Sequence, residues 1–194
     1  MKSQSASQFV AVYNPFFRTL HWLMALVIFT ALGLGVWATQ LPKGEMRSDV
    51  LFVHKSLGVA ALMLIVIRIV ARLVAGSPPY AVPLGRLTRA GSHAVHVLLY
   101  ALMIAMPVSG YLTSSAGGHD VSFFGLVSLP NVVGESKAID EGASQAHFVF
   151  AWAIGAALFL HLAAVVWHAR VKRDEVLTRM WPRRFRPYAS ARPR

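Results

Sequence analysis

The stretch 146-AHFVFAWAIGAALFLHLAAVVWHARV-171 decides the fold. It is apolar over the ~20 residues a helix needs to cross hydrocarbon. It also carries two histidines, His147 and His161, fourteen residues apart. Fourteen residues is almost four helical turns, so both rings face the same way, roughly 21 Å apart along the axis at about 1.5 Å per residue. A polar ring at membrane depth is costly, and intramembrane histidines are kept for function. Two on one stripe, one near each membrane face, suit a helix that holds two stacked cofactors, each by one axial nitrogen.

Outward from that stretch lie three more apolar runs, about Phe16–Thr39, Val50–Val74 and Ser92–Ser115. They end at Leu41-Pro42-Lys43-Gly44, at Gly76-Ser77-Pro78-Pro79 and at Gly117-Gly118. Asn14-Pro15 marks a helix start, with Pro in the first turn. The expected fold is an all-α membrane protein, a four-transmembrane-helix bundle. A single membrane domain spans 14–171, preceded by a mobile cytoplasmic arm (1–13) and followed by a basic cytoplasmic tail (172–194). The first run is expected to stay in place, because a polar arm precedes it and no clean small-residue cleavage motif follows. Pro107 falls inside the third run, where a kink is expected and neighbouring helices satisfy the freed carbonyl. The segment Val121–Pro130, with Phe123 and Phe124, is too short to span and is expected to lie as a flap on the outer end of the bundle.

Composition agrees. Hydrophobic residues make up 56% of the chain and charged ones 14%, against near half and about a quarter in a soluble domain. There is no cysteine, which excludes disulfides, thiolate ligation and cysteine nucleophiles. The formal charge of +11 is unevenly placed: the N-terminal arm, the loop Arg68–Gly91 and the tail after Trp167 hold fifteen of the nineteen basic residues. The other two loops hold only Lys43, Arg47, Lys55 and Lys137, beside six of the eight acids. This positive-inside pattern puts both termini in the cytoplasm. The basic tail reads as an anchor on the lipid surface, with no nucleic-acid partner.

Topology then assigns depth. His54 and His147 lie near the outer face. His21, His93, His96 and His161 lie near the inner face, and His168 lies at the cytoplasmic edge. The outer pair is His54 with His147. The inner pair is His161 with either His21 or His96. Haem is the natural occupant, being flat, apolar and held by axial imidazoles between facing helices. Zinc needs a fuller tetrahedral set, and the spans supply no Asp, Glu or Cys to complete one. Gly33, Gly35, Gly58 and Gly155 leave room for porphyrin faces. Arg18, Lys55 and Arg68 are placed to pair with propionates, whereas Arg72 fits snorkelling to headgroups.

The chain resembles the bacterial cytochrome b561 family of four-helix dihaem, quinone-linked inner-membrane cytochromes. The resemblance rests on Arg18-Thr19-Leu20-His21-Trp22, on Val53-His54-Lys55-Ser56-Leu57-Gly58, and on His93-Ala94-Val95-His96-Val97-Leu98-Leu99-Tyr100 with Pro107-Val108-Ser109-Gly110. It continues from His147 through His161 and His168 to Leu177-Thr178-Arg179-Met180. It implies two haem b groups with axial ligands His21 and His161 at the inner site and His54 and His147 at the outer, selecting His21 over His96. His93, His96 and His168 are left as candidates for a ubiquinone headgroup. The resemblance further implies electron transfer with the ubiquinone pool. The outer donor would be superoxide or another small periplasmic reductant, making the chain a superoxide:ubiquinone oxidoreductase. The alternatives are a cytochrome anchor or relay subunit for a separate dehydrogenase or hydrogenase partner, and a histidine-based metal transporter, which the absence of intramembrane carboxylates disfavours.

Overall fold

A computed structural model describes residues 12–76, 78 and 85–181. Most of the expected arm, and the tail beyond 181, lie outside the described residues. Four long helices carry the fold: α1 (Pro15–Gln40), α2 (Glu45–Ala75), α3 (Arg86–Ala116) and α4 (Lys137–Trp167). All four are long and apolar enough to cross a membrane. Between α3 and α4 a two-stranded antiparallel hairpin, β1 (Ser122–Phe123) and β2 (Val127–Ser128), interrupts the loop. A π-helical turn, His168–Lys172, prolongs α4 and ends at Arg173, whose φ of 52° is left-handed.

The helix starts are set by local chemistry. The Asn14 side chain accepts the Phe16 N–H at 2.9 Å, and Pro15 follows in the first turn. Ser136 caps α4 by accepting the Ile139 N–H; such a cap is worth about 1 kcal/mol. Lys137 and Glu141 pair one turn into α4. Three helices begin earlier than the apolar runs suggest: α2 at Glu45, α3 at Arg86 and α4 at Lys137. The reason is physical. Hydropathy marks where lipid ends, whereas a helix continues into water until its cap.

Close backbone seams run along α1–α2, α3–α4 and, more sparsely, α2–α3. The core is a cluster of apolar side chains, most of them between the two histidine levels. It comprises Leu20, Met24 and Ile28 of α1, Ile65 of α2, Leu99 and Leu102 of α3, and Ile154 and Ala157 of α4. Ile154 sits midway between His147 and His161, so this apolar layer separates the two histidine levels. Large side chains such as Leu73, Phe148, Trp152 and Phe159 stand exposed on the outside of the bundle, as lipid-facing residues do.

The outer segment does lie on the bundle. The Ser56 hydroxyl on α2, fully buried, is 3.0 Å from the Ser122 carbonyl oxygen and accepts the Phe124 N–H at 3.0 Å. The chain after α4 also folds back under the end of the bundle where α1 begins. Arg18 donates to the Trp181 carbonyl at 3.0 Å, and the Trp22 indole donates to the Met180 carbonyl at 2.9 Å. The Tyr13 N–H donates to the Arg179 carbonyl at 3.2 Å.

Candidate haem centres

The histidines foreseen on opposite helices meet in two layers. In the outer layer the His54 and His147 ring centres are 6.1 Å apart with planes at 85°. In the inner layer His21 and His161 are 6.3 Å apart at 66°. An iron held between two imidazoles needs about 2 Å to each nitrogen, plus roughly 1 Å from each nitrogen to its ring centre, so both pairs fit a shared iron. His96 also reaches His161, at 5.5 Å, closer than a shared iron permits. The two partners that spacing left open are thus both present, and their separations differ in the direction that favours His21. Among the described residues no group of three metal-binding side chains is placed to hold one ion.

The two outer rings rest in matching seats. The His54 Nδ1–H donates to the Ala31 carbonyl on α1 at 2.8 Å. Four residues on, a Cβ at Gly35 would stand 2.9 Å from the same ring. The His147 Nδ1–H donates to the Met106 carbonyl on α3 at 2.9 Å, with the Ser109 hydroxyl 3.1 Å away. Four residues on, a Cβ at Gly110 would stand 2.8 Å from that ring. Carbonyl and glycine one turn apart let an imidazole lie against helix backbone. A carbonyl can only accept, so the proton sits on Nδ1 and Nε2 keeps its lone pair for a metal.

Gly35 was foreseen as a thinned position, but what occupies its space is the His54 ring. A Cβ at Gly33 or Gly155 would meet nothing within 4 Å, and at Gly58 only the edge of Pro107. Gly110 and Ser109 were not singled out as site residues. The one signal available was their position after Pro107, since which helix would face them is a tertiary fact.

The cations separate by depth. Arg68 is 8% exposed, its Nε donates to the Tyr100 hydroxyl at 3.3 Å, and its Nη1 has no hydrogen-bond partner among the described residues. It lies on α2 fourteen residues after His54, and its partner Tyr100 lies one turn after His96 on α3, which places it at the inner histidine level. Lys55 turns outward, toward the Asp120 carbonyl at 3.5 Å. With Lys43, Arg47, Ser48, His119 and Asp120 it lines an open cavity of about 490 Å³ at the outer mouth of α2. Arg18 holds the returning chain at Trp181.

The remaining histidines have different surroundings. His93 is exposed. His96 is bonded through Nδ1 to the Ser92 carbonyl one turn earlier, at 2.6 Å. His168 pairs with Asp174 at 2.5 Å.

Comparison with known proteins agrees with this geometry. The family model for prokaryotic cytochrome b561 matches residues 12–183. Cytochrome b561 homolog 2 of Escherichia coli (strain K12) is 30% identical over 87% of this chain and 90% of its own length. Cytochrome b561 homolog 1 of the same organism is 28% identical, over 88% and 99%. The probable superoxide oxidase CybB of Yersinia pestis is 25% identical, over 85% and 93%. Four apolar helices, paired imidazoles in two layers and a match over nearly the whole length lead to one assignment: this chain belongs to the prokaryotic cytochrome b561 family.

Proposed function

We propose that the chain carries electrons across the bacterial inner membrane through two haem b groups, from a small donor at the outer face to ubiquinone at the inner face. As a family member it is a multi-pass bacterial membrane protein that transfers electrons on b-type haem. The finer reading rests on one observation above all: two imidazole pairs at 6.1 and 6.3 Å that draw on one helix, α4, at positions fourteen residues apart.

In this reading His54 and His147 hold the outer haem iron, and His21 and His161 the inner. Haem b, when bound, supplies a one-electron couple. Held by two imidazoles, it would favour electron transfer over chemistry at the metal. The chain does the rest. Ala31 and Met106 hold the outer imidazoles in the ligating tautomer. Ile65, Ile154 and their neighbours keep water out of the space between the layers. Arg68 offers Nη1 to a propionate at the inner level, and Lys55 and Arg18 are the corresponding cations toward the two faces. His93, His96 and His168 line the route for a quinone headgroup, with both termini on that cytoplasmic side.

For the donor, the relative from Yersinia pestis points to superoxide. The cluster of Lys43, Arg47 and Lys55 around the outer cavity supports it, since local positive charge draws a small anion. Charge from Asp120 in the same wall opposes this, so the attraction is confined to the α2 side.

The test is a pyridine haemochrome count on purified protein: two haem b per chain are expected. His54→Ala or His147→Ala should each remove one, and His21→Ala or His161→Ala the other. Stopped-flow mixing of superoxide with oxidised protein should then reduce haem, more slowly in a Lys43→Ala/Arg47→Ala/Lys55→Ala variant and with a weaker salt dependence. Absence of reduction would remove superoxide as donor while leaving the two-haem reading intact.

A further inference from the structure

Resting on the two-haem reading, we propose that Arg68 holds the inner site at a higher reduction potential than the outer one. The fold itself then biases electron flow from the outer face to the inner.

The two layers differ in the surroundings of their ligands. Both outer imidazoles donate Nδ1–H to backbone carbonyls, at 2.8 and 2.9 Å. Such bonds raise imidazole basicity, and a more basic ligand favours the ferric over the ferrous state. Neither His21 nor His161 makes a hydrogen bond among the described residues, so the inner ligands receive no such push. The inner layer has instead a buried guanidinium. Arg68 is 8% exposed and held by Tyr100 through Nε, with Nη1 open to a further partner. A guanidinium stays charged at any depth. A fixed positive charge in a poorly screened interior opposes the added charge of ferric iron and so favours reduction.

A propionate paired with Arg68 does not change the sign. The guanidinium then cancels a carboxylate that would otherwise lie near the iron and lower its potential. At the outer layer the nearest counterpart is Lys55, but it lines the open cavity, where water and salt screen its charge. Hydrogen bonding lowers one site and charge raises the other, and both act in the same direction. One electron leaves the outer site as the inner site accepts one, with no proton needed between them.

The experiment is a redox titration of purified protein, followed at the haem absorption bands after the haem count. Two steps are expected. The step surviving in His54→Ala, which retains the inner haem, should match the higher one. Arg68→Gln should lower that step alone, and Arg68→Lys should restore most of it. If the surviving step matches the lower one, or if Arg68→Gln retains both haems and shifts neither, the inference fails. The order of the steps tests it even if Arg68→Gln does not fold. One haem per chain would remove the two-site reading and the inference with it; two haems with the opposite order would sink the inference alone.

Discussion

Gly35 and Gly110 are the residues where a single carbon decides the outer site. Each imidazole lies where a Cβ would stand, at 2.9 and 2.8 Å, closer than real Cβ contacts allow. The ring must move, and moving it breaks the bond to the Ala31 or Met106 carbonyl that fixes its tautomer. Gly110→Ala is expected to lower the outer haem's occupancy or leave its axial coordination weakened, and Gly110→Val to abolish its binding. The inner haem should remain in both. Haemochrome counts and low-temperature spectra of the α-band check this. Gly142→Ala on α4 is the matched control, since a methyl there meets nothing within 4 Å and the position lies outside the stretch between His147 and His161; it should leave both haems in place.

At the scale of elements, two short segments close the ends of the bundle: the hairpin segment, expected there from its sequence, and the segment 173–181, which its sequence does not announce. The hairpin β1–β2 is tied to α2 through Ser56. The segment 173–181 is tied to α1 through Trp181 and Met180 and to Tyr13, just before α1, through Arg179, whose guanidinium is 5.6 Å from the Tyr13 ring centre. Glu175 and Arg179 form a buried pair at 3.6 Å, with side chains 9% and 3% exposed. Removing one member of a buried pair weakens the compensation of the other charge. Glu175→Gln is therefore expected to destabilise this segment by up to about 3 kcal/mol. Replacing both residues by apolar ones of similar size should recover much of that. Hydrogen exchange at 173–181 and the melting temperature in detergent measure it. The segment 173–181 escapes a hydropathy reading because it is largely polar and its partners on α1 lie some 160 positions away in the chain.

At the scale of the whole molecule, the helices are not equally joined. Among the described residues backbone seams run along α1–α2 and α3–α4, with a sparser one between α2 and α3, and no comparable seam joins α1 to α4. What spans α1 and α4 is the apolar middle layer and the His21–His161 pair. Ligands common to two helices stabilise the assembly by mass action, about 4 kcal/mol at a thousandfold excess over the dissociation constant. Protein made under haem limitation should therefore melt at a lower temperature and be cut faster by protease than haem-loaded protein. Added haem should restore both. An apoprotein with unchanged melting would show that packing alone holds the bundle.

Much of this architecture is already present in the one-dimensional pattern. Four apolar runs, the charge alternation of the loops and the fourteen-residue interval on α4 follow from hydropathy and from the helical repeat. Both are local properties, so the chain alone determined the number of spans, the two histidine levels and the outer pairing of His54 with His147. The tertiary structure decided the rest. It brought both His21 and His96 to His161 at different distances, seated the outer imidazoles on Gly35 and Gly110, left the buried Arg68 Nη1 without a hydrogen-bond partner among the described residues and folded 173–181 back under the start of α1. Each of these depends on which helix faces which, at ångström separations between residues distant in the chain, and no local pattern encodes that.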